Sequence, residues 1–165
     1  MELQIQHQLT PFIWYQSGAE DAVAHYLRVF GSDRGRITDT QRWGENSPGT
    51  AGTVMIVNFE LLGLPLTAFN GGPHFKLNEA FSLTVACRDQ AEVDHLWEQL
   101  PAGGGQALAC GWVRDAWGLC WQILPAAWFD MMRDPDPARV QRVLQAVWSM
   151  TKLDLAALQR AYQGD

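Results

Sequence analysis

Shifted along itself by 70 residues, the sequence overlies its own pattern: "EDAVAHYL" (20–27) falls on "QAEVDHLW" (90–97), with Val23 on Val93 and His25 on His95. Each copy opens with a segment rich in aromatic and β-branched residues, "HQLTPFIWY" (7–15) and "AFSLTVACR" (80–88), which predicts a strand. A helical segment follows in each. In the first, Ala22, Val23, Tyr26, Leu27 and Phe30 recur at helical spacing, with Ser17 as the expected N-cap and Gly31 as the stop. The second runs over 89–100, starting on Asp89, with Val93, Leu96, Trp97 and Leu100 on its apolar face.

Further strands complete each copy. "RITDTQRW" leads through the loop "GENSPGTAG" to "TVMIVNFEL" (53–61), and Leu62-Gly63 turns that strand into "LPLTAFNG" (64–71). Pro65 suits a strand start or an edge, because proline cannot donate to a ladder. In the second copy "QALACGWVRD" and "GLCWQILP" are the corresponding strands, joined around Asp115–Gly118. Two units of this kind have too few helices for a doubly wound sheet. The expected fold is therefore α+β: two tandem βαβββ modules forming a curved mixed sheet around a cavity, plus C-terminal helices. The modules span 1–75 and 76–125, and a helical tail spans 126–165, all within one structural domain. One helix covers one face of each sheet, so the other face must pack on its twin or enclose something.

The tail reads as two helices. Asp136 caps "DPDPARVQRVLQAVWSM", Pro137 takes the first helical position, and Val140, Val143, Leu144 and Val147 form an apolar stripe. "KLDLAALQRAY" restarts at Asp154. The stripe must be buried on the chain's own sheet or on a second subunit. Both remain open from the sequence.

Composition removes several functions. A net charge of −6, with no Lys/Arg cluster beyond Arg34 and Arg36, argues against a nucleic-acid surface. No apolar run reaches membrane-spanning length, and the first residues lack a signal-peptide pattern. Cys87, Cys110 and Cys120 form no CxxC pair and read as free thiols of a reducing compartment, which makes a cytoplasmic protein the expectation. Eight tryptophans imply a deep core or an aromatic-lined cavity.

Taken together, "TPFIWY", "FNGGPHFK", "CGWVRDAWGLCWQILP" and "DPDPARVQRV" resemble the PhnB-like branch of the vicinal oxygen chelate superfamily, the glyoxalase and bleomycin-resistance fold. That branch often carries the label 3-demethylubiquinone-9 3-methyltransferase. The resemblance spans about residues 7–160 and implies paired modules, a central cavity and a homodimer. Metal-dependent members of the superfamily hold a divalent ion with side chains from the first and last strand of each module. The resemblance puts those places near Thr10, Thr67, Ala80 and Gln122. A hydroxyl, a methyl and an amide are poor transition-metal ligands, so a metal-free site is expected, with no cofactor. A shifted register would instead bring in His7, Asn70 or Glu79. The methyltransferase label fits the chemistry badly: "PAGGGQAL" follows a helix and enters a strand, whereas a nucleotide-type cofactor wants the glycine turn at a helix N-terminus.

The candidate ligand-binding residues are Trp14, Thr67, Asn70, His74, Trp112, Trp121 and Gln122. His74 is the one candidate catalytic group, because imidazole can exchange a proton near neutral pH. Each also has a structural reading. The tryptophans can fill the core, and Gly71-Gly72-Pro73 can be a tight linker whose glycines take positive φ. His25 and His95 read as surface or interface residues on their helices, and Cys120 as buried and inert. The function expected is a metal-free binder of a small, partly aromatic ligand. The alternative is a metal-dependent or His-assisted lyase, isomerase or dioxygenase.

Overall fold

A computed structural model describes residues 9–165; His7 and the start of the first expected strand lie outside the described residues. The chain divides into two compact units, with the division between Lys76 and Leu77. The fold is α+β, as expected: each unit is a βαβββ-like module with a four-stranded mixed sheet, and helices follow the second.

The first unit contains β1 (Phe12–Tyr15), α1 (Ala19–Phe30), β2 (Gly35–Arg42), β3 (Val54–Leu61) and β4 (Leu64–Asn70). Its sheet order is β1-β4-β3-β2, with β1 parallel to β4 and the other pairs antiparallel. Alternation decides what is buried. Ile13, Tyr15, Val57, Phe59, Leu61, Leu66 and Ala68 turn inward, as do Ala22, Val23 and Tyr26 of α1. The hydroxyls of Tyr15 and Tyr26 meet at 3.0 Å within this core. Leu62 (φ 51) and Gly63 (φ 79) form the predicted β3–β4 turn, with the positive φ at both central positions that matches strand twist.

The start of α1 departs from expectation. Gly18, in the left-handed region, is the N-cap instead of Ser17, and it has no side chain to satisfy the helix. Asn70 does so from β4: its Oδ1 accepts from the Ala19 N–H at 2.8 Å, and its Nδ2 donates to Glu20 Oε2 and to the Val54 carbonyl. A second correction concerns His25. It is buried rather than on the surface, with Nδ1 at 2.7 Å from an Arg28 guanidinium nitrogen. His95 is exposed, as expected.

The second unit has β5 (Ser82–Cys87), α2 (Gln90–Gln99), β6 (Gln106–Ala107), β7 (Trp112–Arg114) and β8 (Cys120–Pro125), in the order β5-β8-β7-β6. Asp89 caps α2 through its side chain, as predicted. The single strand expected over 106–115 is broken. Cys110 (φ 59) and Gly111 (φ 81) turn out of the ladder, and their N–H groups donate to the Met150 and Thr151 carbonyls. A side chain at Gly111 would press on Leu153 at 3.0 Å.

That contact belongs to the tail, α3 (Ala126–Met131), α4 (Pro137–Trp148) and α5 (Leu155–Gln163). Asp136 and Asp154 cap α4 and α5 as the sequence predicts. Val143 and Val147 of the apolar stripe are buried with Leu124, Met131, Leu153 and Leu158, so the tail packs on its own unit. Gln90 joins it to α2: its Nε2 donates to the Leu153 carbonyl and to Asp94, while its Oε1 accepts from the Leu155 N–H. Lys152 pairs with Asp94 at 2.6 Å, and its hydrogen bond, together with that from Gln90, holds the Asp94 carboxyl below its ordinary range.

The β7–β8 turn rests on one carboxylate. Asp115 is 3% exposed; Oδ1 accepts from the Trp117 and Leu119 N–H groups, and Oδ2 from the Trp121 indole at 3.0 Å. Asp115→Ala is expected to lower the unfolding free energy by about 2–4 kcal/mol, since three donors, two of them buried, lose their acceptor. Asp115→Asn can keep the two backbone bonds but turns a donor toward the indole, so it should recover only part of the loss. Urea unfolding curves check both; an unchanged Asp115→Ala midpoint would remove this role.

Candidate functional site

In each unit the sheet face away from the helix carries the polar and half-exposed residues. In the first unit the strand register arranges them in cross-strand rows. Trp14, Phe69, Ile56 and Gln41 form one row; Phe12, Thr67, Asn58 and Asp39 form the next; Pro65, Glu60 and Arg36 form a third. Successive rows lie about 7 Å apart, two residues along β3 and β4, while a bulge in β2 puts three residues between Asp39 and Arg36. The face thus passes from aromatic, through hydrogen-bonding, to ionic.

Phe69 is the centre of the aromatic end. Phe12 lies 5.6 Å from it between ring centroids, Trp14 4.9 Å and Trp43 6.1 Å. Phe75 meets Trp14 edge-on at 4.9 Å. Phe12 and Phe75 remain 59% and 63% exposed, so the cluster presents ring surface to solvent instead of closing on itself. In the middle row, Thr67 Oγ1 donates to Asn58 Oδ1 at 2.8 Å, and Asn58 Nδ2 donates to Asp39 Oδ2 at 3.4 Å. At the ionic end Arg36 pairs with Glu60 at 2.8 Å, beside a cleft of about 500 Å³ among Ser32, Asp33, Arg34, Arg36, Glu60 and Gly63.

"FNGGPHF" is the clasp on the aromatic end. The Trp14 indole N–H donates to the Gly72 carbonyl at 3.0 Å, and the ring lies so close to Gly71 that a Cβ there would come within 2.2 Å of it. Gly72 has the expected positive φ (79°); Gly71 is needed for close approach instead. His74 follows on the exposed side of the strap, and among the described residues its ring makes no hydrogen bond. A general acid or base here has no orienting partner.

In the second unit Trp112 pairs with Gln122 across β7 and β8, and Thr84 flanks Gln122 on β5. Gln122 Nε2 donates to Ser82 Oγ at 2.8 Å. Arg114, two residues from Trp112, binds Glu79 at 2.9 Å and Gln106 Oε1 at 2.7 Å.

The sequence candidates therefore separate. Trp14 and Thr67 share the open face of the first sheet, and Trp112 and Gln122 that of the second. Asn70 is corrected to a structural residue, since its amide serves the start of α1 and the start of β3. Trp121 is corrected as well: it alternates to the helix side, is 1% exposed and is held by Asp115. Asn58 and Asp39 escaped the sequence reading, although a lone Asn inside the apolar run "TVMIVNFEL" marks a polar face. Phe69 and Trp43 escaped because only tertiary pairing brings them into the cluster with Trp14.

The donor set does not fit a transition metal. Thr10 and Ala80 precede their strands, and Thr67 and Gln122 offer a hydroxyl and an amide. The true counterpart of Gln122 is Phe69, two positions along the same face from Thr67. The seventy-residue shift sets Trp14 on Thr84, and these pair with Phe69 and Gln122 respectively. Of the shifted alternatives, Glu79 is ion-paired and Asn70 is committed. Among the described residues no group of three His, Cys, Asp or Glu side chains is placed to hold an ion. A methyl-donor nucleotide fits no better: Gly103–Gly105 follow the C-terminal end of α2 and lead into β6, so no helix N-terminus faces that turn. Cys87 and Cys120 are held in the unreactive thiol form. Burial first, then Glu92 and Asp89, pushes Cys87 up to about 12, and burial chiefly raises Cys120.

Comparison with known proteins agrees with this architecture. A family model described as 3-demethylubiquinone-9 3-methyltransferase matches residues 7–124. The solved structure of a PhnB protein from Bacillus cereus is 30% identical, covering 73% of this chain and all of its own, with a TM-score of 0.65. Protein PA1353 from Pseudomonas aeruginosa, 19% identical over 73% of this chain and 98% of its own, has a TM-score of 0.58 and shares the fold. A glyoxalase-related enzyme from Fulvimarina pelagi is 21% identical over 71% of this chain and 87% of its own, at a TM-score of 0.44. No curated protein matches. The three tail helices lie beyond the family match.

Because Gly71 is packed on the indole, Gly71→Ala is expected to displace Trp14 or the strap. The measurable outcome is altered tryptophan fluorescence and a loss of about 1–3 kcal/mol in stability, the usual range for overpacking. A variant indistinguishable from the parent in both would mean the strap accommodates the methyl group.

Proposed function

The chain belongs to the 3-demethylubiquinone-9 3-methyltransferase family, and from that membership we propose that it is a metal-free small-molecule-binding protein of the PhnB type rather than a methyltransferase. The observation that carries this reading is the open face of the first sheet. Aromatic rings with exposed edges gather around Phe69, directly beside a polar row, and among the described residues no three imidazole, thiol or acid groups come together to grip a cation. Such a surface suits stacking on a planar ligand, with a few polar groups to orient it. Trp112 and Gln122 in the second unit offer the same combination on a smaller scale.

Two features support a protein that works without crossing a membrane and with a second copy as partner. Among the described residues no helix is long and apolar enough to span a bilayer. On α4, Val143 and Val147 are buried while Trp148 is 64% exposed, which leaves a large apolar side chain for a homodimer of the kind the family resemblance implies. Sedimentation equilibrium tests the dimer; a monomer at tens of micromolar would remove it.

Protein purified without added metal should bind planar aromatic probes such as 2-naphthol or indole saturably in calorimetry, unchanged by chelator. Phe69→Ala should weaken that binding about five- to tenfold, in line with an aromatic contact. Stoichiometric first-row metal by elemental analysis, with binding lost on chelation, would overturn the reading in favour of catalysis. His74→Ala should leave affinity within about twofold, because that ring stands off the aromatic face; a larger loss would return His74 to the site.

A further inference from the structure

The middle row of the first sheet has a fixed hydrogen-bond direction, and the direction is set at one end. Asp39 is a carboxylate and can only accept. Its Oδ2 receives Gln41 Nε2 at 3.2 Å and Asn58 Nδ2 at 3.4 Å. The Asn58 amide must therefore turn its NH2 toward Asp39, which leaves its carbonyl facing Thr67. Thr67 responds by donating its only hydroxyl proton to Asn58 Oδ1 at 2.8 Å. What Thr67 can then offer a ligand is a lone pair. Thr67 pairs with Phe12 on one side and precedes Phe69 by two residues, so this acceptor lies beside the aromatic cluster.

From this we propose, resting on the binding role just given, that the open face of the first unit selects planar aromatic ligands bearing a hydrogen-bond donor. The recognised chemistry is a ring O–H or N–H, as in a phenol or an indole, and the methylated counterpart is rejected. The donor meets Thr67 Oγ1 while the ring stacks on the cluster around Phe69. Asp39, two strands away from Thr67, acts as a positioning residue that holds the row in its accepting state. Apolar burial alone predicts the opposite preference, since a methyl group adds surface to remove from water. The sign of the selectivity is therefore diagnostic.

Calorimetric titration of the full chain with two matched pairs tests the idea: 2-naphthol against 2-methoxynaphthalene, and indole against 1-methylindole. The donor of each pair is expected to bind about tenfold tighter, the value of one hydrogen bond near 1.4 kcal/mol. In Thr67→Val the ratio should fall to about one or below. In Asp39→Asn, an exposed position where folding is not at stake, Asn58 is free to turn over and Thr67 to donate outward. The ratio should then fall too, although Thr67 is intact. A merely local contact at Thr67 would leave the Asp39→Asn ratio unchanged. Equal binding of both members of each pair by the parent protein would overturn this selectivity and leave the binding role standing. No binding by any of the four compounds would overturn both.

Discussion

One helix per four-stranded sheet is the constraint from which the rest follows. A strand exposes alternate residues on its two faces, and a single helix can cover only one of them. In the first unit α1 takes the apolar set led by Tyr15, Val57, Phe59 and Ala68. The intervening residues must then tolerate water or a ligand, which is why Asn58, Thr67 and Glu60 sit between buried neighbours. The face stays accessible because its burial is incomplete.

Where elements meet, the backbone must still satisfy its own polar groups, and in both units side chains do this. Asn70 reaches back across the chain to the N–H of Ala19, because Gly18 brings no side chain to that helix start. Asp115 gathers two backbone N–H groups and an indole, and thereby fixes the β7–β8 turn. Gln90 ties α2 to the tail through both ends of its amide. These residues are polar and partly or fully buried, which makes them resemble ligand-binding groups in a sequence. Their bonding shows that they hold elements together.

The tail illustrates how packing resolves an ambiguity that patterning leaves open. Its apolar stripe is plain in the sequence, but a stripe does not name its partner. Contact with Leu124 and the paired N–H groups of Cys110 and Gly111 places it on the second unit. The same contact breaks the expected strand at 106–115, since two of its backbone donors turn to the tail's carbonyls.

The repeat, the strand alternation, the turn at Leu62-Gly63 and the caps at Asp89, Asp136 and Asp154 were legible in the chain. Each depends on residues a few positions apart and on local backbone chemistry. Of the site, Trp14, Thr67, Trp112 and Gln122 could be placed on the open faces by counting in twos. The same count puts Trp121, next to Gln122, on the helix side. Asn70 could not be sorted that way: its role depends on partners chosen by strand order. Parallel pairing of β1 with β4 sets Trp14 beside Phe69, and the neighbouring strands carry the Thr67–Asn58–Asp39 row, which fixes who donates to whom. Sequence alone thus determined the elements and their two faces, through short-range periodicity. Tertiary pairing decided which residues share a row, because it joins positions tens of residues apart.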